Sequence, residues 1–472
     1  MDNIFVGCRK GDLGRVKYLV EQKEVELNVR DNWDSTPLYY ACLCGHTDLV
    51  KYLLENGAKC EANTFDGERC LYGALTSEVR KLLLDAKVIT AQTKRRDDYD
   101  IFCEKILKAE DYSDITFLLE GNSTFKLHRC ILSVRSDNFK SLLQSRWKDR
   151  PEIRNHMIES KVFEEFLKYV YTSRIVCQRD RLDSFYRLAD QCQMPQLRAE
   201  LDSAVVKAES FEGSKKGVRV STISVESEKA LWELQQAYGQ LLEQGIPPEF
   251  SSWPPANVLP LMPTLPSSYF DMCLLVDGYR FYCHKVFVCV RSGYFNAMLH
   301  FNQNQLLEDN IPILKIVDFE PEVMTCVLYY IYTNNAQLSD DVVLDVLRSA
   351  DMYLLSGLKR QCGAFLSNKV TVDNVMMLFQ LARMYDLPRL ENRCTEFIAT
   401  NIDTIRENEE FQKAVVSDAA EVKGRQDTDS IQIIDDIRYH ITSGVQTFSE
   451  VADANEKLRI IDDILESLGL EA

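Results

Sequence analysis

Two stretches of this chain, 156 residues apart, say nearly the same thing, and that duplication limits the fold more than any other feature. The first runs Phe125-Lys126-Leu127-His128-Arg129-Cys130-Ile131-Leu132-Ser133-Val134-Arg135-Ser136; the second runs Phe281-Tyr282-Cys283-His284-Lys285-Val286-Phe287-Val288-Cys289-Val290-Arg291-Ser292. Each gives a short strand, a His followed by a cation, an apolar run, and Arg-Ser before an aromatic. Upstream, Asp114-Ile115-Thr116-Phe117 answers Asp271-Met272-Cys273-Leu274. Downstream, Tyr169-Val170-Tyr171-Thr172 answers Tyr330-Ile331-Tyr332-Thr333, and Leu188–Cys192 answers Ala350–Tyr353. Solenoid units repeat every ~20–50 residues. A repeat of this spacing is therefore a whole domain present twice.

The length of 472 residues fits about three domains. Its 46% apolar content suffices for ordinary cores. The net charge is −17, and residues 401–472 carry 17 Asp/Glu against 7 Lys/Arg. Binding a phosphate backbone needs a basic footprint, so nucleic acid is not an expected partner. Fifteen cysteines lack framework spacing and sit mostly in apolar runs, where a thiol acts as a small hydrophobe. The chain shows no basic-then-apolar leader, and no apolar run reaches ~18 residues. These features predict free thiols, no membrane span, and a reducing compartment: the cytoplasm, with the nucleus as a second address.

Ahead of the duplication, Thr36-Pro37-Leu38-Tyr39-Tyr40-Ala41 predicts a helix capped by Thr36 with Pro37 at its first position. Gly45 and Gly57 fall where two successive helices need a left-handed stop. A shift of 34 residues back sets Gly11 under Gly45, and one of 32 forward sets Asp66 under Asp34. These units resemble ankyrin repeats, whose period is about 33 residues; the flanking units are degenerate, and Tyr39 stands where the family commonly has His. Three repeats are the minimum for a continuous core, so the unit is expected to lean on its neighbour. Trp33 and Asp34, with Phe65 and Asp66, are expected at loop tips between repeats, where an aromatic beside an acid can anchor a partner. The alternative for Trp33 is packing on the adjacent loop. Cys42, Cys44 and His46 do not form a metal site, because helix positions two apart point away from one another.

In the first copy, Ile101, Phe102, Ile106 and Leu107 predict one apolar helix face ahead of Asp114. Lys94-Arg95-Arg96 reads as a solvated face. His128 and His284 lack a placed nucleophile and an orienting group, so both are expected to be structural residues at a strand-to-helix turn. Asp114 with Arg135, and Asp271 with Arg291, are candidates for part-buried pairs. After Asp190 the helical pattern fades, and residues 210–226 are small and polar. Residues 229–244 are amphipathic, and seven of thirteen prolines fall between Pro247 and Pro266. That composition predicts a semi-rigid spacer. In the second copy, Gly278 supplies the first hairpin turn. Beyond it, residues 371–400 predict two amphipathic helices broken at Asp386-Leu387-Pro388. Leu458, Ile461, Ile464, Leu465 and Leu468 share one face of a last helix.

The duplicated pattern resembles the BTB/POZ domain, and the chain as a whole is similar to the ankyrin repeat and BTB/POZ domain-containing protein family. The resemblance implies a multidomain, mainly α chain with α/β parts: a short ankyrin solenoid, two BTB/POZ α/β domains and a BACK-like helical carboxyl terminus. The expected boundaries are 1–90 for the repeats, 99–205 for the first BTB domain, 206–267 for a linker, 268–365 for the second BTB domain and 366–472 for the helical region. In BTB domains the helix ahead of the first strand often joins a dimer interface. Pairing of the two copies, within one chain or between chains, is left open. The resemblance further implies a non-enzymatic scaffold with no cofactor or metal, recruiting an unidentified protein substrate to a cullin of a cullin-RING ubiquitin ligase. Leu306 and Glu308 in the second copy, and Trp147 and Asp149 in the first, match the adaptor pattern of a hydrophobe followed two positions later by an acid in the loop that grips the cullin. The alternative is a BTB-mediated transcriptional or signalling co-regulator.

Overall fold

The computed structural model describes residues 4–21, 25, 27–31, 33, 35–58, 60, 65–89, 98–155, 157–214, 220–250, 269–301, 306–308, 311–421, 431–443 and 448–470. The chain divides into two units, Met1–Leu355 and Ser356–Ala472. The division falls inside the stretch 268–365 expected to form the second BTB domain.

The first unit opens with three helix pairs: α1 (Ile4–Lys10) and α2 (Leu13–Glu21), α3 (Pro37–Cys44) and α4 (Thr47–Glu55), α5 (Phe65–Gly73) and α6 (Ser77–Ile89). Thr36 Oγ1 accepts the Tyr39 amide at 3.2 Å, and Gly45 closes α3 at φ +76°. Leu38, Ala41, Cys42, Val50 and Leu53 form the shared core. The third repeat departs from expectation, because Phe65 and Asp66 open helix α5 instead of lying at a loop tip. Where the second repeat has Thr36-Pro37 to delay its helix, the third has Glu68-Arg69, both strong helix formers. The repeats do lean on the neighbouring domain: the Tyr72 ring lies 6.4 Å from Phe211.

Each BTB copy is built around a small sheet. After α7 (Asp98–Leu107), β1 (Ile115–Leu118) pairs antiparallel with β2 (Thr124–Leu127). Helices α8 (Arg129–Arg135) and α9 (Asp137–Gln144) come next, and β3 (Glu152–Arg154) returns parallel to β1. The copy continues through α10 (Ser160–Thr172), β4 (Arg174–Gln178), α11 (Leu182–Gln191) and α12 (Pro195–Ser214). The buried face of α7 is Tyr99, Phe102, Cys103 and Ile106. Ile101 and Leu107, expected on that face, are half-buried.

Within the stretch expected to be a linker, the described residues 206–214 and 220–250 carry a helix end, a strand and a second helix. Helix α12 runs past residue 206, β5 (Thr222–Glu226) pairs antiparallel with β4, and α13 (Glu228–Glu243) begins at once. Small polar residues misled here, because Ile223 and Val225 alternate as a strand needs and Ser227 caps α13. The proline-rich residues 251–268 lie outside the described residues.

The second copy repeats the plan. Strands β6 (Met272–Val276) and β7 (Tyr279–Cys283) meet at Asp277-Gly278, both at positive φ as a tight hairpin turn requires. Helices α14 (Lys285–Arg291) and α15 (Gly293–Phe301) lead to β8 (Leu306–Glu308) and β9 (Ile311–Ile316), then α16 (Pro321–Thr333) and α17 (Val343–Met352). Strand β9 lies parallel to β6, and β8 adds an antiparallel edge.

The second unit is helical: α18 (Ser356–Ser367), α19 (Val375–Met384), α20 (Pro388–Thr400), α21 (Ile402–Ile405), α22 (Glu409–Glu421), α23 (Gln432–Ser443) and α24 (Phe448–Ser467). Asp386-Leu387-Pro388 breaks α19 from α20, as the proline requires. Helix α24 docks on α21 and α23 through Ile461, Ile464 and Leu465. Arg383 binds Glu391 at 2.8 Å and both oxygens of buried Asp418, which also accepts the Ile433 amide at 3.1 Å. One carboxylate thereby ties α19, α22 and α23 together.

Candidate protein-interaction site

The repeated motif explains itself once the side chains are in place. His128 is buried at the start of α8; its amide donates to the Tyr171 hydroxyl at 3.1 Å, and its Nδ1 lies 3.1 Å from the same oxygen. Nε2 faces the Ala109 carbonyl at 3.2 Å. This set fits a neutral ring protonated at Nε2. Burial holds the imidazole down to a pKa of about 4. In the second copy the His284 amide donates to Tyr332 at 2.9 Å, with Nδ1 at 3.0 Å. Both rings join the strand-to-helix turn to the long helix behind it, so neither is presented to a substrate.

The anticipated carboxylate–arginine pairs do not form. Asp114 accepts the Arg129 amide at 2.7 Å, and Asp271 accepts the Lys285 amide at 2.7 Å. Each carboxylate thus caps an otherwise orphaned donor at a helix start, which a carboxylate satisfies with full charge assistance. Burial pushes both acids up, Asp271 to about 6. The arginines serve the other end of the fold. Arg135 donates to Val170 O at 3.0 Å and Ser173 Oγ at 2.9 Å; Arg291 donates to the Tyr330 hydroxyl at 2.8 Å and to Asn334 Oδ1. Ser173 and Asn334 hold the left-handed positions that end α10 and α16. Ser136 and Ser292 cap the next helices and donate to Cys192 O at 2.6 Å and Tyr353 O at 2.8 Å. The aspartate, histidine-amide and serine contacts correspond position by position; the arginines share the helix-end partner, Ser173 or Asn334, but differ in the other, Val170 O against the Tyr330 hydroxyl.

The two copies face each other within one chain. Helix α7 packs on α10 of its own copy and on α14 of the second; α13 packs on α16 and on α8 of the first. Tyr99 donates to Tyr332 O at 2.8 Å, and Tyr238 donates to Tyr171 O at 3.0 Å. The Arg291 guanidinium lies 4.6 Å over the Phe102 ring. The role of α13 and Tyr238 escaped the sequence reading. The signal was present: Tyr99 precedes Asp114 by the interval that separates Tyr238 from Asp271 once the proline-rich stretch 251–268 is removed.

The residues expected to meet partners fall in varied settings. Trp33 is 70% exposed, while its carbonyl and Ser35 Oγ accept from Arg69. Asp34 lies outside the described residues, and Phe65 and Asp66 are in α5. Leu306 and Glu308 lie on edge strand β8, register partners of Ile313 and Ile311, where a loop was expected. An edge strand still offers a surface for pairing. In the first copy Trp147 turns inward, its ring 5.6 Å from Phe117 and 6.1 Å from Phe139, while Asp149 is exposed. Arg129 fixes this turn by donating to Trp147 O, Lys148 O and Arg150 O. Among the described residues no group of three His, Cys, Asp or Glu gathers as metal ligands, and no helix is long and apolar enough to cross a membrane.

A family model of the BTB/POZ domain matches residues 103–209 and 263–370, and one of ankyrin repeats (3 copies) matches residues 4–97. BTB/POZ domain-containing protein 3 of Schizosaccharomyces pombe is 30% identical over 98% of this chain and 89% of its own length. Ankyrin repeat-containing protein YIL001W of Saccharomyces cerevisiae is 27% identical over 93% of this chain and 88% of its own. The solved BTB domain of human gigaxonin aligns with 30% of this chain and 96% of its own at 21% identity, with a TM-score of 0.22. Ankyrin and BTB domains are protein-interaction modules, and a chain holding both in this order, similar along nearly its whole length to a BTB/POZ domain-containing protein, belongs to the ankyrin repeat and BTB/POZ domain-containing protein family.

Proposed function

We propose that this interaction scaffold is a substrate-recruiting adaptor of a cullin-RING ubiquitin ligase. The ankyrin unit, together with the first BTB copy, holds the target, and the second copy with the helices after it in sequence holds the cullin. The observation that carries the reading is the asymmetry between two otherwise equivalent copies. Only the second is followed in sequence by the helix pair α19 and α20, and only the second carries, among the described residues, the extra edge strand β8 with Leu306 and Glu308. In the first copy the matching position is occupied by an inward-turned Trp147. The chain performs no chemistry of its own: tethering raises the local concentration of target lysines around a separate catalytic subunit. Free thiols at all fifteen cysteines support a cytoplasmic or nuclear site of action.

The test is capture of a cullin by the full chain, compared with a Leu306→Ala/Glu308→Ala variant. Capture lost in the variant supports the adaptor. A chain that captures no cullin yet assembles with a regulatory complex is instead a co-regulator, and measurable turnover by the isolated chain refutes both.

A further inference from the structure

The chain reaches its second BTB copy through an element that belongs to both. Strand β5 is laid on β4 of the first copy over five residue pairs, from Arg174↔Glu226 to Gln178↔Thr222. Its near end is held to α12, because the Val220 amide donates to Glu212 Oε1 at 2.6 Å. Helix α13 then leaves β5 directly, burying Ala230, Leu234, Tyr238, Leu241 and Leu242 between the copies. At its far end the Gly245 carbonyl accepts the Tyr282 amide of β7 at 2.9 Å. A side chain at Gly245 has no room there, since a Cβ would lie 1.9 Å from Tyr282 O.

The described residues on either side of the proline-rich stretch are both anchored on the second copy. Before it, the Phe250 ring lies 4.8 Å from Tyr279; after it, Phe270 lies 5.9 Å from Tyr282. Both anchors, Tyr279 and Tyr282, sit on β7 of the second copy. The crossing is made by α13, which is fixed at both ends. Cis pairing under such tethering competes at an effective concentration of the order of millimolar, far above that of a free chain. The opposite helix, α7, closes the other side, with Phe102 6.2 Å from Phe287, and beyond its end Tyr112 donates to Asn296 Oδ1 at 2.8 Å.

We propose that each chain is a closed BTB pair: both pairing faces are consumed internally, one chain forms one particle, and it joins neither a second copy nor another BTB protein through those faces. It then presents one ankyrin surface and one second-copy flank per particle and acts as a monovalent connector. The closure does not depend on the adaptor role, since a co-regulator would be closed in the same way.

The test uses the full chain with a protease site inserted within residues 251–268, expressed together in two differently tagged forms. The expected mass is that of one chain, 54.4 kDa, across the concentration range of the assay, with no co-purification of the two tags. After cleavage the two fragments should elute together with the mass unchanged. Stoichiometric co-purification at twice that mass overturns the proposal, and so does separation of the cleaved fragments. Failure to capture a cullin leaves these readouts untouched, so the adaptor role and the closed pair fail separately.

Discussion

Replacing Tyr171 or Tyr332 with phenylalanine removes a single oxygen from the centre of each BTB copy. In either variant the ring still fills its space, so packing changes little. What is lost is the acceptor for a buried histidine amide, at 3.1 Å from His128 or 2.9 Å from His284, and the partner of the imidazole Nδ1. Leaving a buried donor unsatisfied costs about 1–3 kcal/mol. A central figure of about 2 kcal/mol corresponds to roughly a 30-fold change in an opening equilibrium. Amide hydrogen exchange reads that change helix by helix. Tyr171→Phe should speed exchange in α8 and Tyr332→Phe in α14, each roughly 30-fold under conditions where exchange reports the opening equilibrium. A change below about 3-fold in both, equivalent to less than about 0.7 kcal/mol, would refute the claim that these hydroxyls hold the strand-to-helix turn. A large effect in one copy alone would refute the equivalence of the two networks.

Acid should act on two buried groups, His128 and Asp271, in opposite directions. His128 has a folded-state pKa of about 4 against an ordinary 6.5, so its contribution is full above pH 6.5 and is lost as pH falls through 4. Asp271 is raised from 3.8 to about 6, so the folded state keeps a proton that the unfolded chain releases, and stability rises as pH falls from 6 towards 3.8. Each amounts to about 3 kcal/mol, and they largely offset between about pH 4 and 6; Asp271→Asn should therefore make denaturant midpoints fall more steeply with acid, and an unchanged pH profile would contradict this. Gly11 sits at φ +73° with a Cβ position 2.5 Å from His46 Nδ1, so Gly11→Ala should cost about 1–3 kcal/mol in thermal unfolding of the repeats. Gly278→Ala, at φ +84° in open space, should cost only about 1 kcal/mol. Arg383→Met leaves Asp418 buried without its cation and should destabilise the second unit by about 3–5 kcal/mol, seen as faster exchange in α20–α23.

Much of this molecule was legible in its residues, because the signals were local or repeated. Thr36-Pro37 and Gly45 announce α3 and its end through backbone chemistry that operates within a few residues. The His, Arg-Ser and Tyr-Thr positions of the two copies could be aligned because the same physical demands act twice. Other features could not be read in this way. Charge alone suggested Asp114 with Arg135, but a helix start offers a nearer donor in the Arg129 amide, and backbone donors leave no mark in a sequence. Trp147 and Leu306 occupy comparable sequence positions, yet one ring turns into a core and the other residue lies on an added edge strand. Helix α13 looked like part of a spacer because its partners, α8 and α16, lie far away in the chain on either side. The residues by themselves determined the locally capped helices and that a docking fold occurs twice. Only the tertiary structure decided that the two copies close on each other, since burial of α13 between them depends on surfaces that exist only after both have folded.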